Sequence, residues 1–385
     1  MRERNDARKS SGFIRIARIG GSASLLLAVC FLAACGSCAG GASPSVTSLS
    51  SGPAPATEGA VPGWDALAEV VLAKAGKLHA CLVMVDGRTV LEAYPWPFRA
   101  DDRHKLNSVT KSVVSLLVGI AVGEGAIPSI DESLASWFPE VSAGWPADKK
   151  AITLRHVLTM TEGLSWSEEG GYSGPADSYT AMFSSPDPTR YVLDRPLAGK
   201  PGERFYYNSG DSQLLSAIIQ RATGMTAGDY AREKLFGPLG IDDVFWARDR
   251  TGATMGPSGL QLRARDLARI GRLCLDRGAW EGRQVVPAAW IDESTAKAVA
   301  TPDGLAGQHG YGLHWWMNPS GGYSGRGYGG QYLIVDPARK IVAVFYGSSF
   351  DNDFYLPERV MADLIVPAAE RMAASGPASD RKSVV

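Results

Sequence analysis

The 385-residue sequence predicts an α+β fold in which both ends of the chain contribute strands to one antiparallel sheet. Two β-rich runs are joined by Asp86-Gly87 near the start, and two more flank Asp336-Pro337 near the end. Turn residues between such runs are typical of β-hairpins. The third observation is that the sequence between the hairpins is mainly helical. Strands segregated from helical sequence predict a sheet flanked by helices and an inserted, mainly helical lobe.

Each element can be placed from its local pattern. The hairpins are predicted over residues 81–85 with 89–93, and over 332–335 with 341–345. A further strand, rich in aromatic residues, is expected from Tyr311 to Met317. The segment from Ser108 to Gly123 is almost continuously apolar after its first turn, which predicts a helix buried at the centre of the domain. Further helices are expected over residues 212–222, 226–235, 264–276 and 287–297.

Composition excludes several classes of protein. The chain has 39 Lys and Arg against 40 Asp and Glu, so its net charge of −1 lacks the basic footprint of a nucleic-acid-binding protein. Hydrophobic residues make up 45% and charged residues 21%, as in globular proteins. The five histidines are not clustered and no CxxC pair occurs, so we expect neither a metal nor a cofactor. Cys81 and Cys274 are expected to be buried free thiols, and no obligate protein partner is predicted.

The first 34 residues are predicted to be a lipoprotein signal peptide. Basic residues precede an apolar run from Ala23 to Ala34, about half the ~20 residues that a bilayer-spanning helix needs. The run ends in Leu32-Ala33-Ala34-Cys35, which resembles the lipobox of bacterial lipoproteins. The resemblance implies cleavage before Cys35 and lipidation of its thiol. We therefore expect a lipid anchor in a membrane of the bacterial cell envelope, with the protein facing the periplasm or the exterior. An ordinary signal peptide cut nearby is the alternative.

The rest of the chain is divided by composition. Residues 35–63 are rich in Gly, Ser, Ala, Thr and Pro, which is typical of a flexible tether. Residues 64–370 are expected to form the folded domain, with an α/β lobe from 64–130 and 257–370 and a helical lobe from 131–256. Residues 371–385 are expected to be a flexible tail. Loss of the leader changes the net charge from −1 to −5, which strengthens the exclusion of nucleic acid.

Ser-x-x-Lys, a candidate nucleophile and base, occurs at Ser108, Ser294 and Ser379, so the motif alone decides nothing. Ser379 lies in the predicted tail, and the Ser294 hydroxyl is expected to face water. Ser108 begins the buried helix, where Lys111 shares its face and burial favours a neutral amine that can act as a base. The backbone N–H of Ser108 points to where an oxyanion would form. The alternative is a helix-capping serine with Lys111 reaching the surface.

A second motif runs from Pro201-Gly202 through Tyr207-Asn208 and ends directly before an apolar helix. Together with the Ser108 segment, the 158–164 stretch and the terminal hairpin, it resembles the beta-lactamase-related serine hydrolases. That family includes class C beta-lactamases, D-alanyl-D-alanine carboxypeptidases, esterases and 6-aminohexanoate-dimer hydrolases. The resemblance covers roughly residues 64–370 and implies a beta-lactamase/transpeptidase-like fold. In the family, a Pro-Gly turn precedes the catalytic tyrosine by six residues, which selects Tyr207.

The resemblance also implies residue roles. Ser108 attacks a carbonyl, Lys111 acts as general base, Tyr207 carries a proton to the leaving group, and the amides of Ser108 and Tyr328 stabilise the oxyanion. Side chains or backbone expected to contact the substrate are those of Tyr172, Ser209, Arg326 and Gly327. Arg326 is expected either to place positive charge near the site or, as the favoured alternative, to be a solvated strand residue.

Two departures from the family pattern bear on the substrate. Ser209 occupies the usual asparagine position, and Gly325-Arg326-Gly327 stands where the family has Lys-Thr-Gly, so Gly325 replaces a lysine that holds a substrate carboxylate. The pattern is closest to the aminohexanoate-dimer hydrolase and esterase branch. We expect a small ester or amide to be cleaved through an acyl-enzyme, with weak or no beta-lactam turnover. The alternatives are a true beta-lactamase or carboxypeptidase, and a catalytically silent penicillin-recognising or surface-binding lipoprotein.

Overall fold

The computed structural model describes residues 64–73, 77–168, 172, 177–302, 309–319, 321–350 and 355–375. The predicted leader, the lipidation site Cys35 and the tether lie outside the described residues, as does the tail beyond Ser375. Within the described part of the chain, no helix is both long enough and apolar enough to cross a membrane.

A six-stranded antiparallel sheet joins the two ends of the chain. Its strand order is β2-β1-β11-β10-β9-β8, so the first hairpin pairs directly with the last one. In the central pairing, Val83 lies opposite Ala343. A small second sheet has the order β3-β5-β4, and β6 pairs with β7. The strands are β1 (Leu78–Val85), β2 (Arg88–Ala93), β3 (His104–Lys105), β4 (Phe245–Trp246), β5 (Leu260–Leu262), β6 (Ala279–Trp280), β7 (Arg283–Gln284), β8 (Trp316–Met317), β9 (Tyr323–Gly327), β10 (Gln331–Asp336) and β11 (Ile341–Gly347).

The helices fill the space between the two hairpins and follow the last strand. Helix α10 continues into a π-helical turn at Arg232–Phe236, and α13 into one at Met361–Ile365. The α-helices are α1 (Asp65–Ala73), α2 (Val109–Gly123), α3 (Leu134–Trp137), α4 (Pro139–Ser142), α5 (Ala147–Lys150), α6 (Leu154–Leu158), α7 (Ser178–Ser184), α8 (Pro188–Leu193), α9 (Ser209–Thr223), α10 (Ala227–Ala231), α11 (Ala264–Leu275), α12 (Ala288–Ser294), α13 (Leu356–Val360) and α14 (Val366–Ser375). The predicted α+β fold with a terminal sheet is confirmed.

The hydrophobic core lies on both faces of the sheet. On one face, a large cluster surrounds α2, whose residues from Val109 to Ala121 are all buried. On the other face, a smaller cluster joins the sheet to α1 and the C-terminal helices. A helix that is buried on every side has to be apolar all round. This explains the continuous apolar sequence of α2, which packs between strand β9 and helix α9.

Three expectations about local structure are wrong. The predicted strand from Tyr311 to Met317 is bent back on itself: His314 has a φ of 65° and Tyr311 bridges to Trp316, so only Trp316–Met317 forms a strand. Ser294 does not face water but is fully buried, with its hydroxyl donating to the Ile291 carbonyl. Helix α14 continues to Ser375, into the segment expected to be a flexible tail. The buried thiols Cys81 and Cys274 are free, as predicted.

Candidate active site

Ser108 and Lys111 meet at the start of helix α2. Ser108 is the residue immediately before the helix, and its side chain makes no capping hydrogen bond. The Lys111 side chain is 1% exposed and its Nζ donates to Ser108 Oγ at 2.8 Å. The alternative of a capping serine and a surface lysine is therefore wrong. The helix start instead presents a hydroxyl with an amine at hydrogen-bonding distance.

The Lys111 amine has two further polar partners. Its Nζ donates to Ser209 Oγ at 3.0 Å and to the Pro257 carbonyl at 3.3 Å. Burial lowers the pKa of Lys111 to about 8, because water no longer solvates the ammonium, while Glu168 and Asp211 partly oppose this shift. A substantial fraction of neutral amine is thus available near neutral pH, which a base acting on serine requires.

Tyr207 completes the cluster from the segment that leads into α9. Its side chain lies next to that of Ser108, and its ring lies 5.0 Å from Lys111 Nζ. The ring also stacks on Trp316, with centroids 5.8 Å apart. Burial raises the pKa of Tyr207 well above its ordinary value, so its phenol is neutral at physiological pH and can donate a proton.

Strand β9 passes close to the Ser108 backbone because Gly327 has no side chain. A Cβ at Gly327 would lie 2.3 Å from the Leu106 carbonyl oxygen and 3.1 Å from the Ser108 nitrogen. Asn107 Nδ2 donates to the Tyr328 carbonyl at 2.6 Å and ties the end of the strand to the start of α2. Across the described part of the chain, the amides of Ser108 and Tyr328 have no hydrogen-bond acceptor. Two free donors beside a nucleophile are the chemistry of an oxyanion hole.

Tyr172 and Tyr328 line the same area with aromatic rings. The Tyr172 ring packs edge-on against Tyr328, with centroids 5.1 Å apart, and against Tyr179, at 5.3 Å. Burial raises the pKa of Tyr172, so its phenol is neutral. Tyr328 also contacts the exposed ring of Phe350 at 5.0 Å. These rings give the site an apolar wall next to the predicted oxyanion donors.

Arg326 contradicts the expectation that it is a solvated strand residue, because it is only 6% exposed. Gly325 and Gly327 face α2. Because neighbouring residues of a strand point to opposite faces, the Arg326 side chain points away from α2. The Arg326 guanidinium forms an ion pair with Glu358 at 2.8 Å and donates to Asn318 at 2.9 Å. Its charge is neutralised inside the protein, so the predicted role in substrate binding is not supported by its position.

Glu168 and Asn107 contact the predicted site residues directly but were not among the residues predicted for the site. Glu168 accepts hydrogen bonds from both the backbone and the hydroxyl of Ser209, at 2.7 and 3.0 Å. Neither residue belongs to a motif, and only the turn-forming character of Asn107, which has a φ of 48°, is a recognisable local signal. Both became visible only once the fold had brought distant segments together.

The side chains of His156 and His104 have partners outside this cluster. His156 caps α6 by accepting from the Thr153 backbone at 3.1 Å, and His104 contacts His79 at 2.6 Å. Among the described residues, no group of three or more His, Cys, Asp or Glu side chains is arranged to hold a metal ion. The described side chains therefore bring Ser108, Lys111 and Tyr207 together as one chemical group, with Ser209 beside the amine.

Comparison with known proteins places the chain in a family. The Beta-lactamase family profile matches residues 79–366. The 6-aminohexanoate-dimer hydrolase of Paenarthrobacter ureafaciens is 31% identical over 293 residues, covering 71% of this chain and 73% of the relative. Esterase EstB of Burkholderia gladioli is 30% identical over 155 residues, covering 38% of this chain and 39% of EstB.

The fold comparison agrees with the sequence comparison. The octameric penicillin-binding protein homologue from Pyrococcus abyssi superposes with a TM-score of 0.62 at 21% identity, covering 78% of this chain and 76% of that one. At this identity the superposition shows the fold alone. The family profile and the curated relatives give the rest: the chain belongs to the beta-lactamase family and is a serine hydrolase, as the sequence motifs predicted.

Proposed function

We propose that the protein is an exported, lipid-anchored enzyme that cleaves a small ester or amide through an acyl-enzyme on Ser108. The observation that carries the proposal is the 2.8 Å contact between the Ser108 hydroxyl and a buried amine, Lys111. A serine hydroxyl becomes an effective nucleophile when a neighbouring base accepts its proton as it attacks. The neutral phenol of Tyr207, next to the same hydroxyl, supplies the acid that protonates the leaving group.

In the acylation step, Ser108 Oγ bonds to the substrate carbonyl carbon and its proton passes to the neutral Lys111 amine. The carbonyl π electrons move onto oxygen, where the amides of Ser108 and Tyr328 donate hydrogen bonds. The C–O or C–N bond then breaks, and the Tyr207 phenol protonates the leaving atom. The Lys111 ammonium returns a proton to Tyr207, which leaves the amine neutral again.

In the deacylation step, a water molecule adds to the acyl carbon and gives a proton to Lys111. The second tetrahedral intermediate expels Ser108 Oγ, which takes that proton back. The products are a carboxylic acid and free enzyme, so the cycle consumes one water and needs no redox partner.

The local packing around β9 supports a substrate other than a beta-lactam. A side chain at Gly325, the position of the family lysine, would begin 2.9 Å from Ser112 Oγ and 3.2 Å from Val109 Cγ1. The site therefore lacks a lysine that could hold a carboxylate at this strand, and Arg326 is already paired with Glu358. The names of the two curated relatives, an amide-dimer hydrolase and an esterase, favour small amides and esters as substrates here.

Export and lipidation form the second part of the proposal and rest on the leader and Cys35. Metabolic labelling with a fatty-acid analogue should mark the wild type, whereas Cys35→Ala should carry no label. An unlabelled wild type contradicts the lipid anchor without affecting the proposed chemistry.

A fluorophosphonate probe tests the nucleophile. The wild type should be labelled and Ser108→Ala should not. Ser379→Ala is a matched control, because Ser379 belongs to another Ser-x-x-Lys sequence, and it should be labelled like the wild type. Equal labelling of wild type and Ser108→Ala contradicts the assignment.

A further inference from the structure

The Glu168 carboxylate lies beside the proposed catalytic group and is surrounded by hydrogen-bond donors. Oε1 accepts from the Ser209 backbone N–H at 2.7 Å and from the Trp166 indole at 2.6 Å. Oε2 accepts from the Ser209 hydroxyl at 3.0 Å. An ionised carboxylate can only accept, so these donors hold it in a fixed orientation on Ser209.

This arrangement fixes the direction of the Ser209 hydrogen bonds. A hydroxyl carries one hydrogen, and that of Ser209 is donated to Glu168. Toward Lys111 Nζ, 3.0 Å away, the Ser209 oxygen can therefore only accept. Glu168 thus decides which way the hydroxyl next to the amine points.

The consequence concerns the lone pair of neutral Lys111. A neutral amine has two N–H donors and one lone pair. The Ser209 oxygen and the Pro257 carbonyl, at 3.0 and 3.3 Å, both accept and so take the two N–H groups. The ammonium donates to all three neighbours, including Ser108 Oγ at 2.8 Å. Once one proton is lost, Ser108 Oγ is the neighbour left facing the lone pair, because the other two can only accept. If Ser209 were free to donate to Lys111, it would compete with Ser108 for that lone pair.

We propose that Glu168 is a positioning residue for the general base: it forces the Ser209 hydroxyl to accept from Lys111, which directs the amine lone pair at Ser108. The inference rests on the proposed acyl-transfer function and deepens it. Among the described residues, hydrogen bonds link Glu168 to Lys111 through the Ser209 hydroxyl, so Glu168 acts on the base and not on the substrate bond.

Other titratable groups face Lys111 and bear on its charge. Asp211 approaches from α9, and its pKa is raised well above its ordinary value by burial and by the neighbouring Glu162 carboxylate. His314 is buried and its pKa is lowered to about 3, so it is neutral. Tyr207 is neutral as well. Glu168 accepts hydrogen bonds from protein N–H and O–H groups. Its negative charge stabilises the Lys111 ammonium.

The test is the rate of fluorophosphonate labelling of the intact protein, measured from pH 5.5 to 10. In this reaction Ser108 Oγ displaces fluoride from phosphorus and its proton passes to Lys111. Glu168→Gln removes the charge and gives Ser209 an amide donor. We expect the acid limb of the profile to move to lower pH by about 1 unit and the high-pH plateau to fall about tenfold.

Two further variants separate positioning from a general structural defect. Glu168→Asp keeps the charge but is too short to hold Ser209, so the limb should stay in place while the plateau falls. In a Ser209→Ala background, Glu168→Gln should change the plateau by less than about twofold, because the hydroxyl it orients is gone. Thermal unfolding of each variant confirms that the labelled protein is folded.

The outcomes distinguish this inference from the function on which it rests. If the wild type is labelled and Glu168→Gln has the same pH profile, the role of Glu168 is overturned but the proposed function stands. The same holds if the plateau losses of the two single variants add in the double variant. A wild type that is not labelled at any pH overturns the proposed function and this inference with it.

Discussion

Replacing Lys111 by methionine tests the general base, because methionine fills a similar volume without an amine. With an ordinary lysine pKa of about 10.4, roughly one amine in 2,500 is neutral at pH 7. With the pKa lowered to about 8, roughly one in ten is neutral, an increase of about 200-fold. Burial of Lys111 therefore supplies most of the reactive form that Ser108 needs at neutral pH.

The sign of the pH dependence follows from this role. The base must be unprotonated, so the labelling rate should rise about tenfold per unit between pH 6 and 7 and level off above a midpoint near pH 8. Lys111→Met should be labelled about 10² to 10⁴ times more slowly, and its labelling rate should not show this rise with pH. The assay is the second-order rate of fluorophosphonate labelling across this pH range.

The matched control is Lys297→Met, since Lys297 is the exposed lysine of another Ser-x-x-Lys sequence. It should keep the wild-type rate and profile. The reasoning is refuted if Lys111→Met still shows a limb near pH 8, or if its rate falls less than about threefold.

Three further predictions concern neighbouring features. Gly327→Ala places a methyl group 3.1 Å from the Ser108 nitrogen. Because this displaces an oxyanion donor, labelling should be at least about tenfold slower than in the wild type, and equal labelling rates would contradict this. Arg326→Met leaves the partly buried Glu358 carboxylate without its ion-pair partner and should lower the free energy of unfolding by about 3 kcal/mol in urea titrations; no change would mean that the pair is not structural. Nitrocefin should be turned over at least about 100-fold more slowly than a small aryl ester, and a preference for nitrocefin would favour a true beta-lactamase.

Gly144→Ala serves as the control for the glycine prediction. No atom lies within 4 Å of a Cβ built at this position. The variant should therefore be labelled like the wild type, and slow labelling would show that the effect at Gly327 is not specific to the site.

The elements that the sequence predicted are those with a strong local signal. Turn residues between β-rich runs located both hairpins, and a fully apolar segment located α2 because its burial leaves no polar face. Ser108 and Lys111 are in contact because they are one helical turn apart, so their spacing alone brought them together. Tyr207 was found through the family resemblance, since nothing local distinguishes it from Tyr206.

The features that were missed depend on contacts between distant parts of the chain. Glu168 reaches Ser209 across 41 positions, and Asn107 reaches Tyr328 across 221. Arg326 looked like an exposed strand residue because its partner, Glu358, lies in the C-terminal helices that cover that face of the sheet. No periodicity or spacing rule reports such pairs, because they exist only after the chain has folded.

The central claim is that Ser108 forms an acyl-enzyme. Its most direct test is acid quenching of the wild type during turnover of an ester and an amide panel, followed by peptide mass spectrometry. The peptide that contains Ser108 should gain the mass of the acyl group, and this gain should be lost in Ser108→Ala. An adduct on another residue, or one that persists in Ser108→Ala, would contradict it.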